Sequence, residues 1–426
     1  MARLKKFLSI TNLILNGCLF VCLTTTSVWQ PLSGTEKVRQ FTRPYEFDFS
    51  GWTVDAFWQK LSALSLGPIR HLNNSQERKI IRDYFNVLDE TKNTRRTLED
   101  LYSDPDKTQE EGEASALETR LFEKEHRLKQ ISLLAEAVIQ DQVSQTLGAA
   151  GLTDFSQPLP PVFFHVTDLP KNLILSPRNV IKQEKSISLV SGLSPGIEIS
   201  LENSVEENTD FSALVVPVGG IGTYPTMVIS TGNLLYLTET ISHEWIHNYL
   251  SLRPLGWNYA KNPALRTMNE TAASIAGEEL SWLFVRRFYS DLIAPEEDFS
   301  YKTIQADYHF QEPQTPDSFN FQQEMYQTRL IVDGLLADGK VEEAENFMEE
   351  RRKIFWDNGF QIRKLNQAYF AFYGAYADKP YSAAGADPVG ASVRLLRAKS
   401  KDLTTFIKKI SRMDSYEELL ESVHIY

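Results

Sequence analysis

Cysteine is nearly absent from this chain. Of its 426 residues only Cys18 and Cys22 carry a thiol, and both lie in an apolar N-terminal stretch. The body of the protein therefore has no disulfide, which fits either side of a membrane. A basic stripe is missing too. The formal net charge is -12, with charges of both signs spread along the chain, which argues against nucleic acid as a partner. No internal repeat is visible. With 42% hydrophobic residues, the chain can bury one large domain with an accessory part, or two domains.

There is one long hydrophobic run. Phe7 to Trp29 carries no charge and follows Arg3, Lys5 and Lys6. Its length is about that of a bilayer span of roughly 20 residues. Residues 1–30 are therefore expected to be a transmembrane anchor, with a cleaved signal peptide as the alternative. The basic residues before the run favour a cytoplasmic N-terminus and an extracytoplasmic body, although Lys37, Arg39 and Arg43 weaken that asymmetry.

Beyond the anchor the texture changes twice. A short helix is expected over Phe47–Leu66. From about Ser75 to Leu147, apolar residues recur at helical spacing: Ile80, Ile81, Tyr84, Phe85 and Leu88, then Leu121, Leu128, Leu133, Val138 and Val143. The break at Ser103–Thr108 divides this part into a helical hairpin, so residues 44–150 form a hairpin region. Short β-branched or aromatic runs follow at Val162–Val166, Ser186–Val190, Ile197–Leu201, Ala213–Val218 and Thr226–Ser230, and these read as strands. Helices are expected over Leu237–Leu252, Pro263–Ser290, Phe319–Ala337, Val341–Asp357, Gln361–Ala377 and Leu403–Ser411. The aperiodic stretch Asp291–Ser318 reads as loop. A small sheet followed by helices makes residues 158–426 an α+β domain.

The chemistry lies in His243-Glu244-Trp245-Ile246-His247. Two histidines four residues apart share one face of a helix, so both imidazoles can reach one ion. Zinc suits nitrogen and oxygen ligands in a tetrahedral site. Glu244, next to the first histidine, is placed to act as a base. A catalytic zinc needs a third protein ligand, and Asn269-Glu270 lies downstream, followed by Ala272, Ala273, Ala276 and Gly277, small residues that let two helices pack closely.

In these residues the chain resembles the gluzincin zinc metallopeptidases, of which thermolysin is the familiar member. The resemblance implies a zincin-like fold and a second helix whose Asn-Glu pair supplies the ligand Glu270. Thermolysin-like chains carry an Asp four residues after that Glu, which orients a zinc histidine. Here the position is Ser274, with Glu278 or Glu279 about a turn further on. The late run Asn366-Gln367-Ala368, followed by Tyr373 and Tyr376, is similar to a helix of predicted bacterial aminopeptidases of the group. That likeness makes Tyr376 the candidate oxyanion donor, with Tyr373, Tyr224 and His309 as fallbacks. Gly219–Thr226 resembles the edge strand that binds substrate backbone in this superfamily, yet it lacks the acid with which the aminopeptidases hold a free amine. The null alternative for its glycines is a bulge or turn.

The expectation is thus a membrane-anchored zinc peptidase acting on a peptide or protein. His243, His247 and Glu270 hold Zn2+, Glu244 is the base, and Tyr376 assists. One rival is an interaction module in which the helical hairpin recruits partners and no metal binds; the other is a zinc-binding membrane-associated scaffold without peptidase activity. Glu244 argues against it, because a structural site gains nothing from a base and prefers four protein ligands.

Overall fold

The computed structural model describes residues 34–65, 72–103, 111–153, 157–292, 319–374 and 388–423. Four helices come first: α1 (Gly34–Thr42), α2 (Phe49–Ser65), α3 (Asn74–Ser103) and α4 (Glu111–Ala149). Strands β1 (Phe164–Thr167), β2 (Lys171–Pro177) and β3 (Lys185–Leu189) follow. Then come α5 (Pro195–Asn208), β4 (Phe211–Val216), β5 (Gly220–Ile221) and β6 (Thr226–Ile229). The rest of the described chain is helical: α6 (Leu234–Leu250), α7 (Pro254–Trp257), α8 (Pro263–Phe288), α9 (Phe321–Ala337), α10 (Val341–Asp357), α11 (Gln367–Tyr373), α12 (Pro388–Lys399), α13 (Leu403–Ile410) and α14 (Tyr416–Val423). The α+β class expected from the sequence holds.

Helices α3 and α4 form the expected hairpin. Ile81, Tyr84 and Leu88 line one face of α3, and Val138, Ile139, Val143 and Leu147 line the facing side of α4. These stripes belong to the same core as Ile241, Trp245 and Ile246 of α6 and Met268, Ala272, Ala273 and Ala276 of α8. The helix pair that carries the chemistry is thus packed against the hairpin. Buried Glu136 of α4 adds a polar tie. Its carboxylate accepts from Lys60 Nζ of α2 at 2.8 Å and from the backbone N–H of Val166 at 3.0 Å, and lies 3.0 Å from His165 Nδ1.

The strands make two small sheets. One is antiparallel, in the order β3-β2-β4. Its centre, β2, is covered on both faces. Leu173 and Leu175 meet Val38, Leu201 and Val205 of α1 and α5, while Ile174 meets Ala368 and Phe372 of α11. The second sheet runs β1-β6-β5, with β1 parallel and β5 antiparallel to β6. Strand β5 is its edge.

Three expectations need correction. First, no helix among the described residues is long and apolar enough to cross a membrane. Helices α3 and α4 have the length, at 30 and 39 residues, but carry charge throughout. The segment Phe7–Trp29 lies outside the described residues, so the transmembrane helix and the single-pass membrane placement are not upheld. Second, Ile197–Leu201 is not a strand but the first half of α5. Pro195 occupies a first-turn position, where its fixed φ suits a helix, and Leu201 and Val205 fall four apart on the buried face. Third, the late helix begins at Gln367 instead of Gln361. The Asn366 side chain caps it by accepting from the Tyr369 N–H at 2.9 Å. Strand β2 was not expected at all, because Pro170 and Pro177 bracket it like loop punctuation.

Candidate metal centre

Two well-capped helices build the site. Asn233 caps α6 by accepting from the Tyr236 N–H, and Asn262 caps α8 by accepting from the Leu265 N–H, with Pro263 in the first turn. The helices pass closely where α8 is small. A methyl group added at Gly277 would stand 3.0 Å from the Glu239 carbonyl oxygen and 3.0 Å from His243 Cβ. Any side chain there would push the histidine helix away. Ala272, Ala273 and Ala276, all fully buried, extend the same seam.

This packing brings the three expected ligands together. His243 Nε2 and His247 Nε2 lie 3.0 Å apart. Glu270 Oε2 stands 3.7 Å from the first and 3.4 Å from the second. Ligands about 2.0–2.1 Å from a tetrahedral zinc are separated by about 3.3–3.4 Å, so the triangle has the size such an ion requires. Glu270 Oε2 is buried and has no hydrogen-bond partner. A buried carboxylate oxygen without a donor, facing two imidazole nitrogens, is the arrangement a cation would satisfy. These residues form a group able to hold a metal ion.

His247 is oriented from behind. Its Nδ1 lies 2.7 Å from Asn269 Oδ1, which accepts the ring proton there and leaves the Nε2 lone pair facing the site. The sequence reading sought this partner at Ser274. The Ser274 hydroxyl is buried without a hydrogen-bond partner, and Asn269 does the orienting. Glu279 plays no part: it forms a two-pronged pair with Arg397 at 2.6 and 2.8 Å, and burial raises its carboxyl pKa. Glu270 has its own support, because the Tyr259 hydroxyl donates to its Oε1. No sequence motif marks Tyr259, which lies in the connection between α7 and α8. Burial, and next the Glu270 charge, push its phenol pKa up.

Glu244 follows His243 and is buried, at 8% exposure. Strand β5 lies against it. A Cβ at Gly220 would come within 2.7 Å of Glu244 Oε1 and 2.8 Å of its Cγ, and one at Gly222 within 3.4 Å of Oε2. Only glycine at 220 leaves the carboxylate where it is. Gly220→Ala is therefore expected to lower turnover about 100-fold through misplacement of the carboxylate, with metal content unchanged. Turnover and metal content measured on one preparation check this, and a normal rate would show that Glu244 is not held by the strand. The glycines expected at a substrate-binding edge or a bulge thus line Glu244. Metal ligands, Glu244 and β5 together border a cleft of about 400 Å³, which Asn172, Ile174 and Phe372 close from the other sheet and α11.

Of the remaining sequence candidates, those that the structure describes do not line this cleft. Tyr376 and His309 lie outside the described residues. Asn366 serves as the helix cap and its Nδ2 donates to the Ala213 carbonyl. The Tyr224 hydroxyl donates to the Pro161 carbonyl. Tyr373 packs on Tyr369, with ring centroids 4.6 Å apart.

The charges of His247 and Glu270 are coupled. Burial opposes a charged His247, but the Glu270 carboxylate outweighs burial and lifts the imidazole to about 9. Burial likewise opposes the Glu270 charge, and His247 with His243 outweighs it, holding the carboxyl well below its usual range. A raised histidine stabilises the metal-free fold fully below its ordinary value of 6.5 and loses that contribution as pH climbs through about 9. A metal ion must displace this proton. Apparent metal affinity is expected to rise about tenfold per pH unit until pH reaches about 9, then level off. Chelator competition at stepped pH measures this; a plateau already at pH 7 would refute the coupling.

Comparison with family models, with curated proteins and with solved structures returned no match.

Proposed function

We propose that this protein is a zinc-dependent peptidase of the gluzincin type, with a zincin-like catalytic domain. The observation that carries the reading is the triangle of His243, His247 and Glu270, sized for zinc, with the Glu244 carboxylate beside it in a cleft bordered by an edge strand. Zinc, when bound, supplies a Lewis acid and lowers the pKa of a coordinated water to about 7. Glu244 takes a proton from the attacking water and passes it to the leaving amine. Among the described strands β5 has no partner on its outer side, so its backbone offers hydrogen bonds to an extended peptide. Among the described residues lining the cleft, Glu244 and Glu270 are the only carboxylates. Neither is left over to hold a substrate's free amine, so the reading favours cleavage within a peptide over removal of its first residue.

Metal analysis of the purified full chain, combined with a digest of a peptide library, tests this. We expect one zinc per chain and internal cleavage that a chelator abolishes. Zinc without cleavage would support the scaffold reading, and absence of metal would sink both.

A further inference from the structure

We infer that Tyr259 is a positioning residue of the metal centre: its hydroxyl occupies one oxygen of Glu270, so that only the other is presented to the ion. The inference rests on the metal reading above and adds to it how Glu270 binds.

The two oxygens of Glu270 have different surroundings. Oε1 accepts from the Tyr259 hydroxyl. Oε2 has no hydrogen-bond partner and faces both histidine Nε2 atoms, at 3.7 and 3.4 Å. The direction of the phenol proton is set from behind. Arg266 Nε donates to the same hydroxyl oxygen at 3.3 Å, so the phenol's own hydrogen is turned to Glu270. Arg266 is in turn anchored by Nη1, which donates to the Ala371 carbonyl at 2.9 Å in α11. Tyr259 also stands edge-on to the His247 ring, with centroids 6.3 Å apart. One side chain thus touches two of the three ligands.

This matters because a carboxylate can grip a metal through one oxygen or two. Two would fill the position that water and substrate need, and a catalytic zinc keeps that position open. With Oε1 engaged, a second metal–oxygen contact costs the hydrogen bond from Tyr259. The phenol also draws charge from the carboxylate, leaving the ion a stronger Lewis acid.

The test uses the full chain, loaded with zinc for affinity and with cobalt(II) for the visible spectrum, which reports coordination number. Tyr259→Phe removes the hydroxyl and keeps the ring. We expect zinc affinity to fall about 10- to 100-fold, the usual cost of losing a partner of a metal ligand. The cobalt band should weaken as Glu270 brings in its second oxygen. In a Glu270→Ala background the same substitution should change affinity by less than about twofold, because the partner through which Tyr259 acts is gone. An unchanged affinity and spectrum in Tyr259→Phe would overturn the inference while leaving the metal centre standing. Equal losses in both backgrounds, the mark of a packing or folding defect, would also overturn it. A wild-type chain that takes up no divalent metal defeats the metal centre and the role of Tyr259 together.

Discussion

Glu244→Gln is expected to keep its metal and its fold and to lose hydrolysis. The carboxylate lies one residue after His243, and the three distances that define the ligand triangle run between His243, His247 and Glu270. Glutamine has almost the same size and shape, so the close approach of Gly220 and Gly222 is preserved. What changes is the capacity to accept a proton. General-base action is worth about 10²- to 10⁴-fold, and a group that both takes the proton from water and returns it to the amine acts in two steps of the cycle. A fall in turnover of about 1000-fold or more is therefore expected, with KM little altered and one metal retained per chain. Cleavage rates and metal content of the variant, measured side by side, decide it. Turnover within tenfold of the parent protein would remove Glu244 as the base.

The second large effect separates two carboxylates that share a helix. Glu270→Ala is expected to lower metal content sharply and leave a weak two-histidine site, because the ion loses its only anionic ligand. Glu279→Ala should keep the metal and lose stability. Arg397 is 8% exposed, and both prongs of its guanidinium rest on Glu279. Removing one partner of a buried pair costs about 3–5 kcal/mol, since the remaining charge is stranded away from water. Metal content and denaturant midpoints of the two variants should thus move in opposite ways. If Glu279→Ala lost the metal and Glu270→Ala held it, the ligand set would be wrong.

The candidate ligand triangle was more legible in the sequence than the architecture that carries it. His243, Glu244 and His247 could be read directly because helical spacing alone brings i and i+4 side chains to one face. Glu270 needed a second inference, from the small residues of α8 that let the helices approach. The partner of His247 was not identified: Ser274 stands where the family has its orienting Asp, while Asn269, within the quoted motif, does the orienting. Helix phase near a crossing turns on a fraction of a turn, which spacing does not resolve. Tyr259 was invisible because its role comes from the fold of the connection after α7, a local path without periodicity. Among the strands, β2 was lost to its flanking prolines, and the start of α5 was misread because five residues cannot tell a buried strand from a helix. The N-terminal anchor rested on an uncharged apolar length behind Arg3, Lys5 and Lys6, a segment outside the described residues, and the described helices of that length carry charge.

The contact between Gly220 and Glu244 has a consequence for how such a protein can diverge. A Cβ at 220 would overlap the Glu244 side chain as it stands, so a change at one position bears on what the other can carry. A lineage acquiring a side chain at 220 must shorten or relocate the residue at 244 in the same interval, or pass through an inactive intermediate. The two positions are therefore expected to change together or not at all. The reach of Glu244 and the wall of the cleft behave as one inherited character, although 24 positions separate Gly220 from Glu244 along the chain.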